Sequence, residues 1–300
     1  MAGRRFPVKR DALKLVRGGT PTPRPEDSDH PARWARPNVR TIAITSGREG
    51  VGRSQLAANL AVALGERGAK VLLVDLDLRD GGLDLLLGVH PRHDLHHWLC
   101  GDQSLEQIVV AGPKNVRLVP AGSGAPELSE LDDYRRECLL RGLGQLEGEI
   151  DLILLDLPPG RTPQGAAFAL AADEVMVLTT PELPAFADAY ALVKELAARG
   201  LTRPPGLIVN MSGSPEEAAE TAHRIRVVAR RFLSLELGIW GAIPLDPAVP
   251  RSARLQEPVV SAFPDCPASG AFRALAAELW PVAPDPLITD RPETPLRLEA

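Results

Sequence analysis

The ten residues SGREGVGRSQ, numbers 46–55, set glycines at 47, 50 and 52 ahead of a basic residue and a hydroxyl, Arg53 and Ser54. Glycines so spaced let backbone N–H groups turn toward one point. A helix beginning just after them adds the positive end of its dipole, so the chemistry to expect is phosphate binding. Ser54 would place its hydroxyl on a Mg2+ ion bridging the phosphates, and carboxylates must then help hold that ion. Asp75 and Asp77 in VLLVDLDL and Asp156 in LILLDLPPG are the candidates, either as ligands through water or to orient an attacking water. Read singly, the loop is a tight turn and each acid a helix cap or surface charge. Four such features in chain order at strand ends point instead to a nucleotide site. The pattern calls for lysine where Arg53 stands.

These residues need a scaffold that brings them to one edge. Short β-rich runs (TIAIT, KVLLVD, VRLVP, DLILLD, EVMVLTT, GLIVN and GIWGAIP) alternate with helical periodicity near 54–66, 131–146, 185–199, a stretch through 231, and 268–279. Continuous apolar strands separated by helices predict a three-layer α/β fold, a mostly parallel sheet of about seven to eight strands covered on both faces. Ligands in that architecture sit at the carboxyl ends of the strands, where the loops after TIAIT, KVLLVD and DLILLD should converge.

The chain has 300 residues, 44% of them hydrophobic, enough for a sizeable core. Its net charge of −5 is uneven: residues 1–40 carry ten Lys/Arg against four Asp/Glu, giving +6 there and −11 elsewhere. Three parts are expected: a flexible basic arm at 1–39, a core at 40–280 and a proline-rich tail at 281–300. With no run of about 18 apolar residues and no signal peptide, a cytoplasmic protein is expected. Its contact with the inner membrane surface, if any, would run through the amphipathic arm around Ala12, Leu13, Leu15 and Val16. Nucleic acid is a less favoured partner, because Phe6 and Trp34 are the arm's aromatics. Cys100, Cys138 and Cys266 lie far apart and read as buried thiols. HPRHDLHHW spaces His93, His96 and His97 for one helical face, but no nearby acid or thiol completes a metal set, so a solvated helix start is expected.

SGREGVGRS followed by AANLAVALGERGAKVLLVDLDL, with DLILLDLPPG and TTPELPAFADAYALVKEL downstream, resembles the MinD/ParA superfamily of P-loop ATPases. LDLLLGVH, VRLVPAGSG, TTPE…DAYAL and LIVNM resemble its FlhG branch most. The family's loop reads KGGVGK followed by Thr. Its first lysine reaches the partner's nucleotide across an ATP-sandwiched dimer, and its second holds the phosphates of its own. By position the resemblance implies Arg48 and Arg53 for the two lysines, with Gly47, Gly50, Val51 and Gly52 as the cradle and Ser54 and Gln55 at the hydroxyl positions. Asp77 would position the attacking water and Mg2+, Asp156 would close the Mg2+ shell, and Asn210 would touch the adenine side. DALKLVR in the arm resembles the motif by which FlhG-like proteins stimulate a signal-recognition-type GTPase, through Asp11, Val16 and Arg17.

Two departures bear on the chemistry. Arginine replaces a compact ammonium by a wide planar fork. Glu49 stands where the family has glycine, and one like-charge contact with a phosphate at about 4 Å would cost on the order of 4 kcal/mol, near a thousandfold in affinity, unless Glu49 turns outward to pair with Arg48 or Arg53. Three states of the loop follow: weak binding with slow hydrolysis, binding without turnover, or an empty relic. The resemblance implies a regulator of where, or how many, surface or polar structures a cell builds. It would bind ATP, dimerise with itself when nucleotide-bound and recruit protein partners of a polar or flagellar-type machinery. A pseudo-ATPase scaffold is the alternative, and a metabolic or redox enzyme is disfavoured by the lack of paired cysteines or a substrate domain.

Overall fold

In a computed structural model of the chain, residues 39–79, 81–122, 131–146 and 150–281 are described. The expectations placed on the basic arm and nearly all of the proline-rich tail lie outside the described residues.

The chain opens with strand β1 (Arg40–Ser46), helix α1 (Arg53–Glu66) and strand β2 (Val71–Asp75). Three short helices follow, α2 (Leu83–Leu87), α3 (Leu95–Cys100) and α4 (Leu105–Ile108), then β3 (Val110–Ala111) and β4 (Val116–Val119). Next come α5 (Asp133–Gln145), β5 (Leu152–Asp156), α6 (Pro163–Ala171), β6 (Glu174–Thr179) and α7 (Leu183–Ala198). The last part is β7 (Gly206–Ser212), α8 (Pro215–Leu233), β8 (Gly238–Pro244), α9 (Ala248–Arg254), α10 (Val259–Ala262) and α11 (Pro267–Leu279).

The strands form one eight-stranded sheet in the order β3-β4-β2-β5-β1-β6-β7-β8. Every pairing is parallel except that of the two-residue β3 with β4. Alternation within the apolar runs explains their continuity, because both faces are covered. Ala43, Leu72, Val74, Ile153 and Leu155 face the layer containing α5, α6, α7 and α8. Ile42, Ile44, Val71, Leu73, Leu152 and Leu154 face α1, α2, α10 and α11.

The helices start where short polar side chains cap them. Asp132 accepts from Arg135 N at the head of α5, Thr162 from Gly165 N before Pro163, and Ser214 from Glu217 N before Pro215. α6 and two of the short helices after β2, α2 and α4, were not anticipated: four or five residues give too little 3.6-residue period, and α6 is nearly all small residues. The C-terminal helix is tied to the start of the sheet by Arg40, whose Nη1 donates to Leu279 O at 2.6 Å and whose Nε meets Glu174 at 2.7 Å. β1 lies at the centre with β5 and β6 on its two sides, so its carboxyl end opens at the switch in strand order. The register sets Asp75 beside Asp156, and Asp156 beside Ile44.

Candidate functional site

Residues 47–52 turn the chain from the carboxyl end of β1 into α1. Ser46 Oγ donates to Arg48 O at 2.8 Å, closing the first bend. Gly47 lies against α7, where a Cβ would fall on the Asp188 backbone. Gly50 and Gly52 take left-handed φ values of 79° and 84°, the conformation that glycine adopts without strain. Gly52 is also the N-cap of α1 and has no side-chain cap, so the first N–H groups of the helix face the loop's mouth. Behind the loop, Asn210 Nδ2 donates to the buried Val51 O at 2.7 Å. Asn210→Ala should therefore remove a buried hydrogen bond and destabilise the fold by about 1–3 kcal/mol. Urea denaturation measures the loss, and faster amide exchange at 51–53 locates it.

Arg53 is the first residue of α1, and its side chain leaves the loop for the strand ends. Nε donates to Asp156 Oδ1 at 2.6 Å, and Nη2 donates to Asp77 Oδ2 at 2.7 Å and to Ser54 Oγ at 3.3 Å. All three partners of this ion pair network are inside: Arg53 is 8% exposed, Asp77 4% and Asp156 0%. Burial alone would lower the Arg53 pKa, but Asp156 and Asp77 outweigh it and raise it. Burial pushes the Asp156 carboxyl up; Arg53 and Ser54 oppose that, and Asp77 adds to it. Asp75 is pushed up to about 8, first by burial and then by Asp156, against the N–H groups of Leu83, Asp77 and Gly82 that bond it. The expected convergence of Arg53, Ser54, Asp75, Asp77 and Asp156 is thus present. What the sequence did not reveal is that the guanidinium bridges the two carboxylates expected to face a metal.

Of the other loop side chains, Val51 is buried and Arg48 and Glu49 turn outward. Glu49 is exposed, as one expectation had it, but neither arginine pairs with it: Arg48 Nε stands 4.0 Å from Asp188 Oδ2, both half-exposed, and Arg53 is engaged below. Gln55 contributes its carbonyl to Asn59 Nδ2 at 2.8 Å, and Asn59 Oδ1 accepts from Val260 N at 3.2 Å, which ties α1 to α10. The histidine stretch needs a correction, because an acid and a thiol do stand within reach. Asp94 Oδ1 is 2.8 Å from His97 Nδ1, and Cys100 Sγ is 3.9 Å from His96 Nε2. Asp94 and His97 form the capping box of α3, which accounts for their proximity without an ion. Cys100 is exposed and Cys138 and Cys266 half-buried, all three free, so none is the fully buried thiol expected.

Comparison with known proteins agrees with this geometry. A family profile described as an AAA domain matches residues 39–198, and one described as NUBPL iron-transfer P-loop NTPase matches 141–280. The antiactivator FleN of Pseudomonas aeruginosa is 34% identical, over 83% of this chain and 89% of its own. The flagellum site-determining protein YlxH of Helicobacter pylori is also 34% identical, over 69% and 70%. The solved septum site-determining protein MinD of Pyrococcus horikoshii, complexed with Mg-ADP, is 32% identical over 80% of this chain and 96% of its own, with a TM-score of 0.68. The chain belongs to the MinD/ParA superfamily of P-loop ATPases, near its FlhG branch. Among the described residues no helix is long and apolar enough to cross a membrane.

Proposed function

We propose that the chain is a FlhG-like regulator of the number or placement of a polar or surface structure. In this reading it binds ATP at residues 47–55, turns it over slowly or weakly, and works in the cytoplasm or at the inner face of the membrane. The observation that carries it is the loop itself: two left-handed glycines and the open N-terminus of a 14-residue helix at the carboxyl edge of the sheet. The names of its relatives, an antiactivator and a flagellum site-determining protein, support the regulatory part. Dimerisation on nucleotide, with Arg48 reaching the partner's phosphates and Asn210 the adenine side, completes the reading, and protein partners of a polar or flagellar-type machinery would be recruited in that state. The half exposure of the Arg48 side chain supports this reading.

Calorimetric titration with ATP tests the loop. Micromolar binding that is lost in Gly50→Val, a β-branched residue at a left-handed φ, is the expected result. No heat up to millimolar ATP would sink the nucleotide part. Deleting the gene in its own cell should change the count or position of flagella or another polar structure.

The second reading, a pseudo-ATPase scaffold for protein partners, is favoured by the bonding of Arg53 to Asp77 and Asp156. Partner capture distinguishes the two, since Asp77→Ala should alter it in a switch and leave it unchanged in a pure scaffold.

A further inference from the structure

We propose that Arg53 is the built-in cation of this site, holding the place a divalent metal would need, so that the chain takes a nucleotide polyphosphate in its metal-free form. This rests on reading residues 47–55 as a nucleotide site.

Mg2+ requires near-octahedral oxygen ligands at about 2.0–2.1 Å and gives up its waters reluctantly. The oxygens that the resemblance assigns to it are Ser54 Oγ and the carboxylates of Asp77 and Asp156. Each already accepts a hydrogen bond from one guanidinium, at 3.3, 2.7 and 2.6 Å. Asp156 Oδ2 remains as a buried oxygen with no hydrogen-bond partner among the described residues, a single acceptor where a metal shell needs several. The residues as they stand do not fit the ion. A dication could enter only if Arg53, itself nine-tenths buried, gave up both carboxylates and left the pocket. Arginine cannot shed its charge to make room, whereas a lysine on the same stem could lift its single ammonium toward a phosphate.

The same arrangement suits a polyphosphate without metal. Arg53 is the first residue of α1, next to the loop's N–H groups, and its permanent charge lies at the neighbouring strand ends on Asp77 and Asp156. A guanidinium sets one positive charge against the two carboxylates where a divalent metal would set two, and that one charge is in this chain already part of the fold. Glu49, at the outer rim, is exposed and does not compete with Arg53 for the carboxylates.

The test titrates the full chain with ADP and with ATP, once in excess Mg2+ and once in excess EDTA, and repeats both with Arg53→Lys. The expected result is a Kd in EDTA equal to that in Mg2+ within about threefold, or tighter, and a shift of tenfold or more toward Mg2+ in Arg53→Lys. Binding by the natural chain that is tighter by tenfold or more in Mg2+ would overturn the inference and leave the proposed function standing. Binding in neither buffer would remove the nucleotide reading, and the variant then decides the inference: Mg2+-dependent binding gained by Arg53→Lys supports it, and none gained overturns it.

Discussion

Arg53→Met should destabilise the chain by about 3–5 kcal/mol at neutral pH, because breaking a buried ion pair from one side leaves the other side's charge uncompensated. Methionine keeps much of the side chain's length, so packing loss is small and electrostatics dominate. Asp77 and Asp156, 4% and 0% exposed, would face each other with no cation between them. The loss should shrink as pH falls, since protonating either carboxyl in the variant removes the stranded charge. Urea denaturation of both forms at mildly acid and mildly alkaline pH measures this. A difference below about 1 kcal/mol, the range of exposed pairs, would mean that the guanidinium does not hold the carboxylates in solution. Arg53→Met/Asp77→Asn should recover part of the stability, because one of the two charges is then gone.

The second large effect is a dependence of stability on pH arising from Asp75. Its carboxyl titrates at about 8 in the folded chain, raised first by burial and then by Asp156, against an ordinary value of 3.8. Between those values the folded state holds a proton that the unfolded state has released. The stabilisation is complete below the lower value and is lost as pH rises toward the upper one, with a slope approaching about 1.4 kcal/mol per pH unit. The raised pKa of Asp156 adds a term of the same sign. Urea midpoints across that range should therefore fall steadily, and Asp75→Asn should flatten the curve. Asparagine can still accept from Gly82 and Leu83 through its one oxygen but not also from Asp77, so the slope, not the absolute stability, is the readout. An unchanged slope in the variant would place the titrating proton elsewhere.

Much of this was legible in the sequence because the signals were continuous. The runs KVLLVD, DLILLD and EVMVLTT became β2, β5 and β6 because strands covered on both faces need apolar residues at every position. Helix α1 begins one residue before the expected start, at Arg53, and ends at Glu66 as expected. The glycine pattern located the loop, since Gly50 and Gly52 are where a left-handed backbone was required. Side-chain direction was not legible. The type Arg at 53 announces a charge and a reach, but the choice between the loop's mouth and the strand ends depends on Asp77 and Asp156, 24 and 103 residues away. Likewise the partner of Arg48 is Asp188 on α7, a contact that only packing creates. The Asp94–His97 pair was in plain view as a residue three before a histidine, yet capping was read there only as a solvated helix start.

The two borders of the sheet carry a consequence of their own. On one side β3 offers only Val110 and Ala111 to its neighbour; on the other, the register of β8 against β7 slips twice, between Leu207 and Ile208 and between Val209 and Ser212. Open borders are where foreign strands add themselves, and a very short or irregular border gives them no continuous row of N–H and C=O groups to copy. A sheet so finished resists fibre growth and strand-by-strand recruitment.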